Sequence, residues 1–443
     1  MKRPLKPPNT GDLLAELDRD KLPLVLEVPP LVGGEYAPWD KVRHLSPPPG
    51  LSLEEWWLGI KLARNQLLKP IPLVDTGGRA FQFGTPDSVL RLTHEIDQLA
   101  SGRIQISEEV TNPSTRDRYI VSSLIEESIT SSQLEGASTT SEVAKNMLRT
   151  GRRPIDRSEQ MILNNFHAMR FVRQHAHEEL TPQLVFDLHR LVTADTLDDP
   201  LKAGCFRSDE DDIQVEDEIG TLLHRPPRAT ELQERMERMC DFANDRPDDW
   251  FLHPVLRAIM LHFWMGYDHP FVDGNGRTAR ALFYWSMLSQ GYWLAEYISI
   301  SRVLHKAHAQ YSRSFLFTEI DDNDLTYFIS YHLSVIRRAI SDLQQYLERK
   351  ITEVRETESL LRSTARFNHR QLALLSHALR RPETRFTIES HRRSHAVVYD
   401  TARTDLLELS DRGLLAKRKR GRTYEFVTPN DLAKRLADLD GGP

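Results

Sequence analysis

The chain has 443 residues, 40% of them hydrophobic, and a formal charge of −6. This length suits about two to four domains, the apolar share suits a buried core, and the modest charge gives no whole-chain case for nucleic acid or membrane binding. Two cysteines, Cys205 and Cys240, allow one disulfide by parity but no disulfide scaffold, which favours a reducing compartment.

The first residues, Met1-Lys2-Arg3-Pro4-Leu5, lack the apolar run of a signal peptide. Residues 1–50 carry Pro7-Pro8, Pro29-Pro30 and Pro47-Pro48-Pro49, which no long helix can cross. They read as an extended arm lying on the body, with a disordered tip. Residues 53–68 read as a helix ended by Pro70, Asp75-Thr76-Gly77-Gly78 as a turn, and 86–99 as a helix with Pro86 in its first turn. From 116 to about 350 apolar residues recur at three and four, in segments 118–134, 159–176, 182–194, 229–243, 255–266, 276–289 and 325–347. The most apolar stretch, 253–267, contains Arg257 and His262 and is too short to span a bilayer. A cytoplasmic protein with no membrane partner is expected.

One interruption, residues 204–227, holds the alternating Ile213-Gln214-Val215 among acids and predicts a small hairpin emerging from a helical body. Composition changes near the C-terminus. Residues 361–430 carry 15 Lys/Arg against 7 Asp/Glu, a balance of +8. Two helical patterns there, 369–379 and 396–410, precede a basic ribbon with its turn near Arg420-Gly421. Helices followed by a basic hairpin are the organisation of a winged helix-turn-helix. The expected class is mainly α, with a helical region at 1–110, a helical core at 111–350 and the winged module at 361–430.

The chemistry concentrates in His269-Pro270-Phe271-Val272-Asp273-Gly274-Asn275-Gly276-Arg277-Thr278-Ala279-Arg280. Asn275-Gly276 opens a helix, and the unpartnered N–H groups and dipole of a helix start favour an anion. Gly274 and Gly276 let phosphate oxygens approach the backbone. Arg277 and Arg280, three apart, share a helix face and offer forked donors to one polyphosphate. Asp273 stands at the mouth of the cradle, where a carboxylate facing phosphate needs a bridging cation such as Mg²⁺. His269, with an unperturbed pKa of about 6.5, is a base for a hydroxyl nucleophile.

These residues resemble the Fic family, whose pattern H-P-F-x-[D/E]-G-N-G-R-x-x-R they match at every specified position. The resemblance extends over roughly 110–345 and implies a Fic-type helical core. It implies transfer of AMP from Mg-ATP to a Ser, Thr or Tyr hydroxyl of a target protein. His269 would deprotonate that hydroxyl, and Asp273 would hold Mg²⁺. Asn275 and the backbone near Gly274 and Gly276 would bind the α-phosphate, with Arg277 and Arg280 on the β- and γ-phosphates. A hairpin flap, here Asp212 to Glu216 with Ile213, Gln214 and Val215, would pair with the target by strand addition. Gly204-Cys205-Phe206-Arg207 looks like the family's approach to that flap.

The predicted helix 118–136 carries Ser131-Ser132-Gln133-Leu134-Glu135-Gly136, which matches the family's inhibitory pattern [S/T]-x-x-x-E-[G/N]. Gly136 suits a left-handed cap. Glu135 would then lie in the last turn, where the dipole disfavours its charge by about 0.3–1 kcal/mol. The resemblance pairs Glu135 with Arg280, blocking the γ-phosphate. The 386–427 segment resembles a winged helix, with residues 397–409 as the recognition-type helix. Its basic residues, within 396–422, are candidates for DNA phosphates, although many winged helices bind proteins. Other readings of the same residues are phosphate transfer, de-adenylylation, and a DNA-binding regulator whose core only senses nucleotide. Self-modification and a homodimer are also expected from the resemblance. The target protein is not legible.

Overall fold

The computed structural model describes residues 3–100, 113–217, 219–244, 251–362, 367–380, 384–395, 397–420, 423–432 and 434–436. It forms two compact units, residues 1–343 and 344–443.

In the first unit the arm is less extended than its prolines suggest. Short helices Thr10–Glu16, Leu22–Leu26 and Trp39–Val42 lie between them, with Pro23 in a first turn, where its missing N–H costs nothing. Met1 and Lys2, the expected tip, lie outside the described residues. The arm rests on helix Leu53–Asn65, which starts in a capping box between Ser52 and Glu55. Two cations on this helix are fully buried because both are paired. The Nζ of Lys61 is 2.7 Å from Asp321. Arg64 donates to the carbonyls of Pro30 and Ala37 and to the Tyr327 hydroxyl, and stacks 3.8 Å over Tyr36.

The predicted helix to residue 68 stops at Asn65. The chain turns instead into strand Lys69–Val74, which pairs antiparallel with Ala80–Phe83. The Asp75 carboxylate closes the turn by accepting from the N–H groups of Gly77 and Arg79. Pro70 and Pro72 hide this strand from a helical reading. A two-stranded ribbon has only edge strands and tolerates them, while Ile71 and Leu73 point into the core.

The body is built on helices Pro254–Asp268 and Asn275–Ser289. Both are buried on nearly every face, as central core helices must be. Helices Pro113–Leu134, Arg157–Gln174 and Pro182–Thr193 pack on the second of them, and Leu232–Ala243 packs on the first. Residues 269–274 therefore join the two innermost helices at one end of the core. Helices Ser141–Thr150, Ile300–Lys306 and His308–Ile320 were not expected. The first is a single short amphipathic stretch that buries Ala144 and Met147.

The second unit contains helix His369–Arg380, strand Arg385–Thr387, helices Ile388–His395 and Tyr399–Asp411, and strands Ala416–Arg420 and Thr423–Val427. The three strands form one antiparallel sheet with the last in the middle. The expected ribbon is present, and Arg385–Thr387 adds a third strand to it. Ala396, Gly421 and Arg422 of the proposed DNA-facing stretch lie outside the described residues. Much of the local positive charge is spent internally: Arg370 on buried Asp405, Arg392 and Arg393 on Glu389, Arg385 on Glu425.

Gly59 marks where the arm meets its helix, since a Cβ there would lie 2.6 Å from the Val25 carbonyl oxygen and 2.7 Å from the Val28 side chain. Gly59→Ala is expected to destabilise the first unit by about 1–3 kcal/mol through overpacking. Denaturant unfolding reads this, and an unchanged midpoint would contradict the packing described.

Candidate functional site

His269 caps the C-terminus of helix Pro254–Asp268 in the left-handed region, at φ 45°. That conformation is uncommon for a residue with a Cβ, and it turns the chain sharply out of the core. Nδ1 lies 3.3 Å from the Gly266 carbonyl oxygen. A carbonyl only accepts, so the proton belongs on Nδ1 and the lone pair on Nε2. Burial is the main cause that pulls this imidazole down to about 4; the Gly266 carbonyl opposes it. At neutral pH the half-buried ring is an unprotonated base.

The next turn is shaped by Asn275. Its Oδ1 accepts from the Phe271 N–H at 3.0 Å and its Nδ2 donates to the Phe271 carbonyl at 2.8 Å. The side chain is buried and closes the loop on the Phe271 backbone. Gly274, at φ 80°, is the N-cap of the following helix. A Cβ there would meet Thr193 at 2.7 Å, so both its conformation and its packing require glycine.

His189, which the sequence did not flag, locks this loop from beneath. Its Nδ1 accepts from the Gly204 N–H and its Nε2 faces the Asp273 carbonyl, both at 2.9 Å. The ring stacks on Phe271 at 3.7 Å. One acceptor and one donor define a neutral imidazole, and burial holds its pKa down at about 4. A lone histidine on an apolar helix face gives no sequence signal for this role.

At the start of helix Asn275–Ser289 the structure brings Glu135 and Arg280 together. Helix Pro113–Leu134 ends in a Schellman motif: Ala137 N–H bonds to the Ser132 carbonyl, Gly136 N–H to the Gln133 carbonyl, and Gly136 sits at φ 89°. Glu135 thus falls just beyond the last helical residue. Its Oε1 is 2.9 Å from Arg280 Nη2. Arg280 also donates from Nε to Ser131 Oγ and from Nη2 to the Ser131 carbonyl, both at 2.8 Å. The guanidinium is 2% exposed and the carboxylate 28%. A Cβ on Gly276 would lie 2.2 Å from that carboxylate oxygen, so Glu135 covers the helix start itself.

The base of this arrangement is Glu127, two turns earlier on the same helix face. Its buried carboxylate accepts from Tyr284 and Ser299 hydroxyls at 2.9 and 2.8 Å, from the Ser301 hydroxyl, and from the Ser301 N–H. Arg277 is fully buried, donating to the Val192 carbonyl at 3.0 Å, with its Nε left without a partner. The Asp273 carboxylate is 38% exposed; its Oδ1 accepts from the Gly274 N–H, and it lies 3.4 Å from Arg277 and 3.6 Å from Arg157.

The expected hairpin is present but shifted. Its strands are Val215–Glu216 and Leu222–His224. Val215 is in the ladder, whereas Ile213 and Gln214 precede it in non-strand backbone. Two residues at its roots reach the loop. Arg207 donates to the His269 carbonyl at 2.8 Å, and its N–H bonds to the Pro270 carbonyl at 2.9 Å. The ring of His224 touches Tyr267 and Glu319. Cys205 is exposed and Cys240 buried.

Residues 179–287, which include the hairpin and the 269–280 loop, match the Fic/DOC family. Among curated proteins the chain is similar to "Protein adenylyltransferase Fic" of Nematostella vectensis, 36% identical over 105 residues, which is 24% of this chain and 22% of that protein. The protein of the same name from Drosophila willistoni is 33% identical over 114 residues, 26% of this chain and 21% of that one. The chain thus spans about a fifth of the length of these relatives. A solved Fic family protein from Desulfovibrio desulfuricans G20 shares the fold over 78% of this chain and 97% of its own, with a TM-score of 0.52 at 17% identity. Glu135 lies outside the family-matched segment.

His189 should titrate with folding. Its folded pKa lies below the unfolded value, so its contribution is complete above about pH 6.5 and is lost as pH falls toward about 4. A shift of this size corresponds to roughly 3 kcal/mol. Unfolding midpoints measured from pH 7 to 4.5 should fall less steeply for His189→Gln than for the wild-type chain. Parallel slopes would show that the buried ring is not neutral.

Proposed function

We propose that the chain is a protein adenylyltransferase that moves AMP from Mg-ATP to a Ser, Thr or Tyr hydroxyl, with Glu135 as its brake. The observation that carries this reading is the Glu135 carboxylate lying over Gly276 at the start of helix Asn275–Ser289, paired with buried Arg280. The place suits an anion by dipole and by cation, and the chain's own glutamate now takes it. The name of the relatives matched over the catalytic segment agrees with AMP transfer.

His269 takes the proton of the attacking hydroxyl on Nε2. The hydroxyl oxygen bonds to the α-phosphorus, the bond to the β-phosphate oxygen breaks, and pyrophosphate leaves. Arg277 and Arg280 hold the β- and γ-phosphates with donors that include the unpartnered Nε of Arg277. Gly274 and Gly276 keep the backbone open to the α-phosphate, and Asn275 keeps the loop closed beneath it. The residues fit Mg²⁺ at Asp273. Asp273 would hold the ion, since one or two carboxylates beside a phosphate suffice for magnesium, and the ion would neutralise phosphate charge. Positioning and charge stabilisation supply most of the rate in such transfers.

With Glu135 on Arg280, the γ-phosphate loses its partner and nucleotide binds unproductively. The flap, centred on Val215 with Ile213 and Gln214 before it, pairs with the target segment, and the chain's own hydroxyls serve for self-modification. The C-terminal unit is a winged helix, whose exposed Arg418 and Lys419 lie on an edge strand.

ATP labelled at the α-phosphate tests this. A charge-assisted contact of about 1.5–3 kcal/mol is removed in Glu135→Gly, so self-labelling should rise roughly 10–100-fold. His269→Ala should abolish it. Labelling from γ-labelled ATP instead would replace AMP transfer by phosphate transfer, and equal labelling of wild type and Glu135→Gly would remove the brake. The acid limb of the rate should lie near pH 4, not at about 6.5, because the folded pKa of His269 is depressed.

A further inference from the structure

A helix leaves its last carbonyls without intrahelical partners. At the end of helix Pro254–Asp268, which presents His269, those carbonyls are taken by two cationic side chains from the roots of the flap. Arg207 serves the side toward the catalytic loop, donating to the His269 carbonyl at 2.8 Å and reaching the Asp268 carbonyl at 3.5 Å. It also donates to the Pro227 carbonyl beyond the second flap strand. His224, the last residue of that strand, serves the other side. Its Nε2 is 2.8 Å from the Tyr267 carbonyl oxygen, and its Nδ1 is 2.7 Å from Glu319 Oε2. A carbonyl and a carboxylate are both acceptors, so both ring nitrogens must carry hydrogens. His224 is therefore an imidazolium, in contrast to His189, whose two partners are one donor and one acceptor.

The surroundings sustain that charge. Glu319 faces it from helix His308–Ile320. Tyr267, with ring centroids 4.6 Å apart, and Asp268 face it from helix Pro254–Asp268. Arg235, from helix Leu232–Ala243, is turned to Asp268 at 2.7 Å and so does not oppose His224 unpaired. His269 senses the cation as one of the influences that keep it neutral. On the hairpin itself, Arg225 sits 3.7 Å from Asp212 at the surface. A cation at a helix C-terminus is also favoured by the dipole. Burial works against the charge, but Glu319, the Tyr267 carbonyl and Asp268 outweigh it, so the pKa is raised.

We propose that His224 is the positioning residue of the flap, an imidazolium pin that fastens the second flap strand to the helix end carrying His269 and releases it on deprotonation. For its catalytic consequence this rests on the transfer reading above. Its structural content does not. With the folded pKa raised, the pin is complete below about pH 6.5 and is lost as pH rises through the folded value. Loss of one proton leaves an acceptor facing an acceptor, at either Tyr267 or Glu319.

The test uses the full chain. Hydrogen exchange is followed in the flap strands Val215–Glu216 and Leu222–His224 from pH 6 to 9, corrected for the intrinsic rate, with histidine ring shifts read by NMR. Wild-type protection should hold at the acid end and fall on the order of tenfold as pH rises through the folded pKa of His224 and the charge-assisted contact is lost. Glu319→Gln, which is nearly isosteric, should move that fall at least about one pH unit downward. His224→Gln should exchange fast at every pH. In the Glu135→Gly background, Glu319→Gln should lower self-labelling while leaving Mg-ATP affinity unchanged, since the 269–280 cradle is untouched. A neutral His224 at pH 6, or flap exchange indifferent to both pH and Glu319→Gln, would overturn the proposal. A flap that behaves as described in a chain that never transfers AMP would overturn only the transfer reading.

Discussion

The start of helix Asn275–Ser289 is the constraint around which the first unit is organised. It lies at the centre of the fold, so its positive end cannot simply be handed to bulk water. The chain brings Glu135 to it from another helix and holds that carboxylate on Arg280. Arg280 itself is affordable in the core only because Ser131 and Glu135 satisfy it. On the proposed reading, the ion pair that satisfies Arg280 is the one an incoming triphosphate would displace, and stability and inhibition would be two readings of one contact.

Glu127 and Ser131 on helix Pro113–Leu134, and Glu135 just past its end, recur every four residues. Glu127 is fastened by four neutral donors from Tyr284, Ser299 and Ser301, whereas Glu135 is past the last helical turn and partly exposed. Local stability in proteins falls toward helix termini, so on the proposed reading nucleotide would displace Glu135, at the helix end, without unpacking the helix.

Three histidines near the loop illustrate how partners, and not residue type, assign chemistry. His189 meets one donor and one acceptor and is a neutral strut. His224 meets two acceptors and is a cation. His269 meets a single carbonyl at Nδ1 and keeps Nε2 as a lone pair. Their roles differ although all three have the same intrinsic pKa of about 6.5.

The sequence by itself determined the 269–280 loop, the Glu135 signal and most of the long helices, because each is written in contiguous residues: a glycine-spaced helix start, a cap, a 3.6-residue apolar period. It misplaced what depends on partners far along the chain. The ribbon at Lys69–Val74 was hidden by prolines that only an edge strand tolerates. That Asn275 closes the loop on the Phe271 backbone was not legible, because this pairing is a matter of loop geometry. His189 and His224 were invisible because a histidine's protonation is set by the atoms opposite its two nitrogens. Only the tertiary structure places Asp273, Gly204, Glu319 and the Tyr267 carbonyl there, since those contacts join residues 15 to 95 positions apart.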